Sequence, residues 1–286
     1  MSYRIITDTC CDYPQQMYQE LNLSVVPLSL NFGGQVYSDF PEDVLKKVYA
    51  GLRAGENATT SAANPDTWAA AIRPALEQGE DVLVMAFSSG LSTTYQSAVI
   101  AANDLLEEFP GRTVKVVDTL AASMGQGLLV WYACQKRDAG MPLEELAAWC
   151  EENKLHLAHW FTVDDLMYLK RGGRVSTATA ILGTMLQIKP VLHVDNEGHL
   201  ISVSKARGRK AALDALVKKM EDTALPGEND TIFISHGDCL EDAQYVGEAL
   251  KKKCGVKDVI ISYVGGVIGS HAGPGTVALF FMASHR

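Results

Sequence analysis

The feature that most narrows the fold is an alternation of two periodicities. Short apolar runs recur through the first half of the chain, and longer stretches with helically spaced apolar residues separate them. Residues 81–87 (DVLVMAF) are the plainest run, with the length of a buried strand rather than a membrane span. The pattern predicts strands over 4–7, 25–30, 81–87 and 113–117, and helices over 42–52, 65–78, 94–108, 121–139 and 142–153. Asn64 stands where an N-cap would, with Pro65 at the first helical position. Strand–helix–strand alternation of this kind builds a parallel sheet with helices on its faces.

The second half reads differently. Strands are expected over 155–163, 191–194 and 200–204, the last two flanking Asp195-Asn196-Glu197-Gly198, a hairpin signal. A helix over 209–223, a strand over 231–235, a helix over 240–253 and strands over 258–263 and 276–282 complete it. The expectation is an α/β protein of two domains: a parallel-sheet α/β domain over 1–160 and a mixed α+β domain over 161–286.

Composition bounds the function. A chain of 286 residues is long enough for two modest cores. Its net charge of −9 argues against a nucleic-acid surface, which needs a basic stripe. No apolar run has membrane-spanning length, and the first residues enter a strand pattern directly, so a cytoplasmic protein without a signal peptide is expected. Six cysteines without a C-x-x-C pair are expected to be reduced thiols, with Cys10-Cys11 a loop-side pair.

Four polar segments interrupt the apolar elements. Thr7-Asp8-Thr9 ends the first strand, where open α/β sheets bind ligands, though Asp8 and Thr9 serve equally well as caps. Thr59-Thr60-Ser61 lies just ahead of the helix led by Asn64-Pro65, and hydroxyls at a helix N-terminus suit an anion. Residues 88–94 (SSGLSTT) hold more hydroxyls than a cap requires. Residues 265–275 hold five glycines around His271, a donor that a neighbouring carboxylate would render cationic. Together these imply an anion site of hydroxyls, amides and one imidazole. A metal is not implied: His156 and His159 point to opposite faces of a strand, and no acidic cluster accompanies them. No Walker motif is present.

The segments TDTCCD (7–12), TTS (59–61), SSGLSTTYQSA (88–98), LKRGGRVS (169–176), IKP (188–190), KAR (205–207) and IGSHAGPGT (268–276) together resemble the DegV family of bacterial fatty-acid-binding proteins. The resemblance spans nearly the whole chain. It implies a two-domain α/β fold holding a long-chain fatty acid as ligand, without a cofactor. It implies a carboxylate held by Thr60, Ser61, Ser92, Thr93 and His271. It further implies a carrier role in phospholipid metabolism, with a separate ATP-dependent fatty acid kinase subunit as partner. Arg171, Arg174 and Arg207 would then face that partner or its phosphates. The chain departs from the family pattern at Thr93, where a glycine is usual, and at Ala62-Ala63. Candidate lining residues such as Met185, Leu186, Ile188 and Phe280 are of a kind more often found as plain core.

The rival reading is a serine acyl hydrolase using Ser92, His271 and Asp118. Gly90-Leu91-Ser92-Thr93-Thr94 falls one residue short of the nucleophile elbow, lacking its second glycine, and begins too far after Phe87. A phosphate- or nucleotide-binding protein would need a P-loop lysine or metal ligands. A lipid-sensing regulator would need a basic recognition helix.

Overall fold

A computed structural model describes residues 2–176 and 187–286. The first sheet is wholly parallel. It is formed by β1 (Tyr3–Asp8), β2 (Ser24–Val26), β6 (Asp81–Ala86) and β7 (Val114–Asp118) in the order β2-β1-β6-β7. α3 (Pro65–Glu77) and α4 (Thr94–Glu108) pack against it through Trp68, Ile72, Ala98 and Leu105. All six residues of β6 are buried, as its unbroken apolar sequence requires for a central parallel strand. The expected strand over 25–30 is two strands, because Pro27 has no N–H for a ladder. Its second part, β3 (Ser29–Phe32), joins β4 (Gln35–Tyr37) and β5 (Ala58–Ser61) in a small antiparallel sheet that the sequence reading missed. α1 (Gln15–Glu20) follows β1, and α2 (Glu42–Arg53) lies between β4 and β5.

The second sheet has six strands in the order β10-β9-β8-β13-β11-β12: β8 (Leu157–Thr162), β9 (Ile188–Val194), β10 (Leu200–Arg207), β11 (Thr231–His236), β12 (Asp258–Tyr263) and β13 (Val277–Met282). Only β11 and β12 run parallel. Its outer face is covered by α8 (Arg209–Thr223) and α9 (Leu240–Cys254), which share a core with Val191, Ile232 and Leu279. Residue 160 falls inside β8, whose neighbours in the sheet are β9 and β13.

The two sheets share α5 (Met124–Asp138), followed by α6 (Leu143–Asn153). Residues 124–130 are all buried, the mark of a helix with apolar neighbours on every side. One core joins Leu128 and Leu129 of α5 to Ile5 and Leu83 of the first sheet and to Phe233 and Phe280 of the second. Each such side chain contributes about 1.5–3 kcal/mol on burial. The glycine-rich stretch after β12 is not a loop, as expected, but contains a short helix, α10 (Gly266–Ala272). Its glycines permit close approach: a side chain at Gly269 would collide with the Tyr49 hydroxyl, and one at Gly266 with the Phe40 ring. α7 (Met167–Arg171) leads from β8 to Gly172, which packs against this helix, and Gly173.

Arg286 ties the domains together. Its guanidinium, 8% exposed, donates to the carbonyls of Leu120, Lys154, Leu157 and Asp195 at 2.7–3.1 Å. Removing it leaves these acceptors to be re-solvated at the seam, at about 1–3 kcal/mol for each one that stays dry. Arg286→Ala should therefore lower stability by about 2 kcal/mol or more in urea unfolding. A change under about 0.5 kcal/mol would show that the seam does not depend on it.

Candidate functional site

Strand order reverses between β1 and β6, and open α/β sheets bind ligands in the crevice outside such a switch point. A cavity of about 520 Å³ lies there, walled by the first sheet's loops on one side and the inner face of β8 and β13 on the other. Thr60, Ser61, Ser92, Thr93 and His271 all line it. They arrive on three elements far apart in sequence. The rest of the wall is largely apolar, including Leu28, Phe87, Leu91, Phe161, Val267 and Phe280. Phe280 belongs to the core and the cavity at once, whereas Ile188 does not line the cavity. Met185 and Leu186 lie outside the described residues.

Thr60 and Ser61 reach the cavity on β5, not as donors at a helix N-terminus. That terminus is satisfied by Asn64, whose Oδ1 accepts the Thr67 N–H at 2.9 Å. Ser92 begins the turn into α4: its Oγ accepts the Thr94 N–H at 3.2 Å and lies 2.8 Å from the Thr94 hydroxyl. Thr93, the α4 N-cap, makes no capping bond, so its hydroxyl is left for the cavity. Ser88 turns away and donates to the Gly198 carbonyl at 3.0 Å, docking the hairpin turn onto this loop.

His271 is in the last turn of α10, with Nε2 2.9 Å from the Thr60 hydroxyl. Gly172 packs so closely on the imidazole that a Cβ there would collide with Nδ1. The two glycines of LKRGGRVS thus serve separate ends: Gly172 for this contact, Gly173 for a left-handed backbone with φ +73°. Burial and the nearby Arg174 guanidinium lower the His271 pKa to about 4. The ligand-free ring is therefore neutral at pH 7, and the cationic state expected from sequence has to be induced.

Arg174 was expected to face a partner or its phosphates. It lines the cavity itself, beside His271. Its Nε and Nη2 donate to the Leu91 carbonyl at 3.2 and 3.1 Å, and Nη1 donates to Gly172. Thr60, Arg174 and His271 also border a smaller cavity of about 280 Å³, whose wall includes Arg171. The Arg171 guanidinium lies 4.5 Å from the Tyr168 ring. Arg207 is elsewhere, exposed at the end of the edge strand β10 and outside both cavities.

The structure does not assemble the hydrolase triad. Asp118 Oδ1 accepts the N–H groups of Ser89 and Leu120, both at 3.1 Å, and lies outside the cavity lining. Ser92 is engaged with Thr94 and His271 with Thr60, so no Ser–His–Asp relay exists among the described residues. Asp8 and Thr9 resolve as structural groups. Asp8 accepts from Cys10 and Phe87, and Thr9 Oγ1 accepts the Leu28 N–H at 3.0 Å. Burial raises the Cys10 and Cys11 thiols well above their usual range. Among the described residues no three His, Cys, Asp or Glu side chains gather as metal ligands. None of the helices described is long and apolar enough to cross a membrane.

This combination defines a two-domain α/β protein with a largely apolar interior cavity that also carries hydroxyls, imidazoles and a guanidinium. The family model described as "Uncharacterised protein, DegV family" matches residues 2–284. A DegV domain-containing protein of Clostridium perfringens is 44% identical over 284 residues, 99% of this chain and 98% of that protein. A DegV family protein of Thermus thermophilus, whose structure is described as showing fatty acid binding, superposes with a TM-score of 0.87. It is 35% identical and covers 99% of this chain and 100% of its own. DegV from Bacillus subtilis, described as a fatty acid binding protein, gives a TM-score of 0.84 at 28% identity, covering 99% and 100%. The chain belongs to the DegV family.

In the ligand-free protein, the His271 imidazole should show no titration between pH 5.5 and 8 by NMR. Arg174→Ala should move its midpoint upward, because a repelling cation is removed. A wild-type midpoint near 6.5 would contradict the burial described.

Proposed function

We propose that this protein binds a long-chain fatty acid in the 520 Å³ cavity and presents its carboxylate to a partner that phosphorylates it. The observation carrying this reading is the composition of one cavity: Thr60, Ser61, Ser92, Thr93, His271 and Arg174 line it together, on a wall whose remaining residues are mostly apolar. Burying the acyl chain supplies about 0.8 kcal/mol per methylene, so affinity comes chiefly from the tail. The carboxylate would lie among Thr60, Ser61, Ser92, Thr93 and His271. Arg174 supplies a fixed positive charge, a role added to the neutral hydrogen bonds expected from sequence. A carboxylate beside His271 would raise its lowered pKa and favour the donor form. The solved relatives described as fatty-acid-binding proteins support the same ligand class.

On this reading the chain has no turnover of its own. It needs no cofactor and works in the cytoplasm with an ATP-dependent fatty acid kinase subunit. Sheltering the tail and fixing the carboxylate leaves the partner an in-line phosphoryl transfer. The smaller cavity bordered by Arg171 and Arg174 shares Thr60 and His271 with the acyl cavity and suits the incoming phosphate. Arg207, remote from both cavities, is left as a surface contact to that partner.

Calorimetric titration with palmitate tests the assignment. His271→Ala and Ser92→Ala each remove one hydrogen bond to a charged group, about 1.5–3 kcal/mol, and should weaken binding about 10- to 100-fold without abolishing it. Unchanged palmitate affinity in both variants, with full phosphorylation by the kinase subunit, would defeat the head-group assignment.

A further inference from the structure

A second cavity, of about 460 Å³, opens beside the carboxyl ends of β1 and β2 and plays no part in the acyl site. Its wall carries the rings of Tyr13, Tyr18, Phe40 and Tyr263 and the carboxylates of Asp12 and Asp39, with no lysine, arginine or histidine. Asp12 is 7% exposed. Its carboxylate accepts the Ser123 hydroxyl at 2.5 Å and the Gly265 N–H, and among the described residues the charged neighbour acting on it is another carboxylate, Asp8. Asp8 is satisfied by three N–H donors from Cys10, Phe87 and Gln126. Asp12 has fewer donors, no counter-ion and an open cavity in front of it. Burial lifts its carboxyl to about 7.

We infer that this cavity binds a small alkylated ammonium ion, with its charge against Asp12 and its alkyl groups against the tyrosine rings. A buried carboxylate without a cation is costly, and a ligand cation offsets that cost. Aromatic faces attract such cations, and a site with two carboxylates and no base repels anions. Two carboxylates are too few for a calcium cage, which takes six to eight oxygen ligands. Ser123, the partner of Asp12, lines the acyl cavity on its other side, so the two sites share one wall. The inference does not rest on the fatty-acid reading.

Calorimetry on the full chain, with choline and its uncharged isostere 3,3-dimethyl-1-butanol as probes, tests it. Choline should bind saturably, and the isostere at least tenfold more weakly. Asp12→Asn and Tyr18→Leu should each weaken choline at least tenfold. Tyr18 is only half-buried, so its variant keeps the test open if Asp12→Asn fails to fold. The inference is overturned by any of three results: no saturable choline binding, equal binding of the isostere, or unchanged choline affinity in Tyr18→Leu.

Discussion

The Asp8 carboxylate holds the switch point together. It is fully buried at the end of β1 and accepts N–H groups from Cys10 at 2.9 Å, Phe87 at 2.8 Å and the Gln126 amide at 3.2 Å. Those donors belong to the β1 loop, the loop after β6 and α5. One side chain thus fixes two loops of the first sheet against the helix shared with the second. A buried acceptor with several N–H partners is far cheaper to keep than to break. The cavity inherits its shape from this node, since Phe87 to Thr93 follow directly from the pinned backbone.

The seam carries electrostatic cost of both signs. Burial raises Asp8 from 3.8 to about 6 and Asp12 to about 7, so the folded state holds these protons more tightly than the unfolded chain. Their contribution to stability is full below about pH 4 and is lost as pH rises through 6 to 7. His271 acts oppositely, being lowered from 6.5 to about 4. Its contribution is present above pH 6.5 and lost as pH falls toward 4. While the His271 imidazole rests in its favoured neutral form at neutral pH, the protein therefore keeps buried carboxylates at an electrostatic cost. Bound ligands of opposite charge would relieve it, and such sites cluster where binding occurs.

The architecture was legible wherever periodicity was strong. The β6 run and the helices on either side of it declare a parallel sheet without further help. What the sequence hid was set by contacts between distant segments. The small sheet of β3, β4 and β5 has short strands of mixed pattern, and its partner register is long-range. The glycines of α10 look like a loop until Tyr49 and Phe40 are seen pressed against them. Thr60, Ser61, Ser92, Thr93 and His271, which line the cavity, stood out in the sequence because hydroxyls and glycines interrupt its apolar elements. The place of Arg174 in the cavity wall was hidden because an arginine in a polar loop reads as surface. Only the fold shows its guanidinium locked on Leu91 beside His271. Asp12 left no signal beyond its place in TDTCCD, since a cavity wall and a turn cap look alike in one dimension.

Native mass spectrometry of the purified protein, followed by denaturing extraction and lipid analysis, bears most directly on the central claim. A long-chain fatty acid, retained at one per chain in the native spectrum and recovered on extraction, is the result this account predicts. A protein that is empty and fails to take up added fatty acids would contradict it.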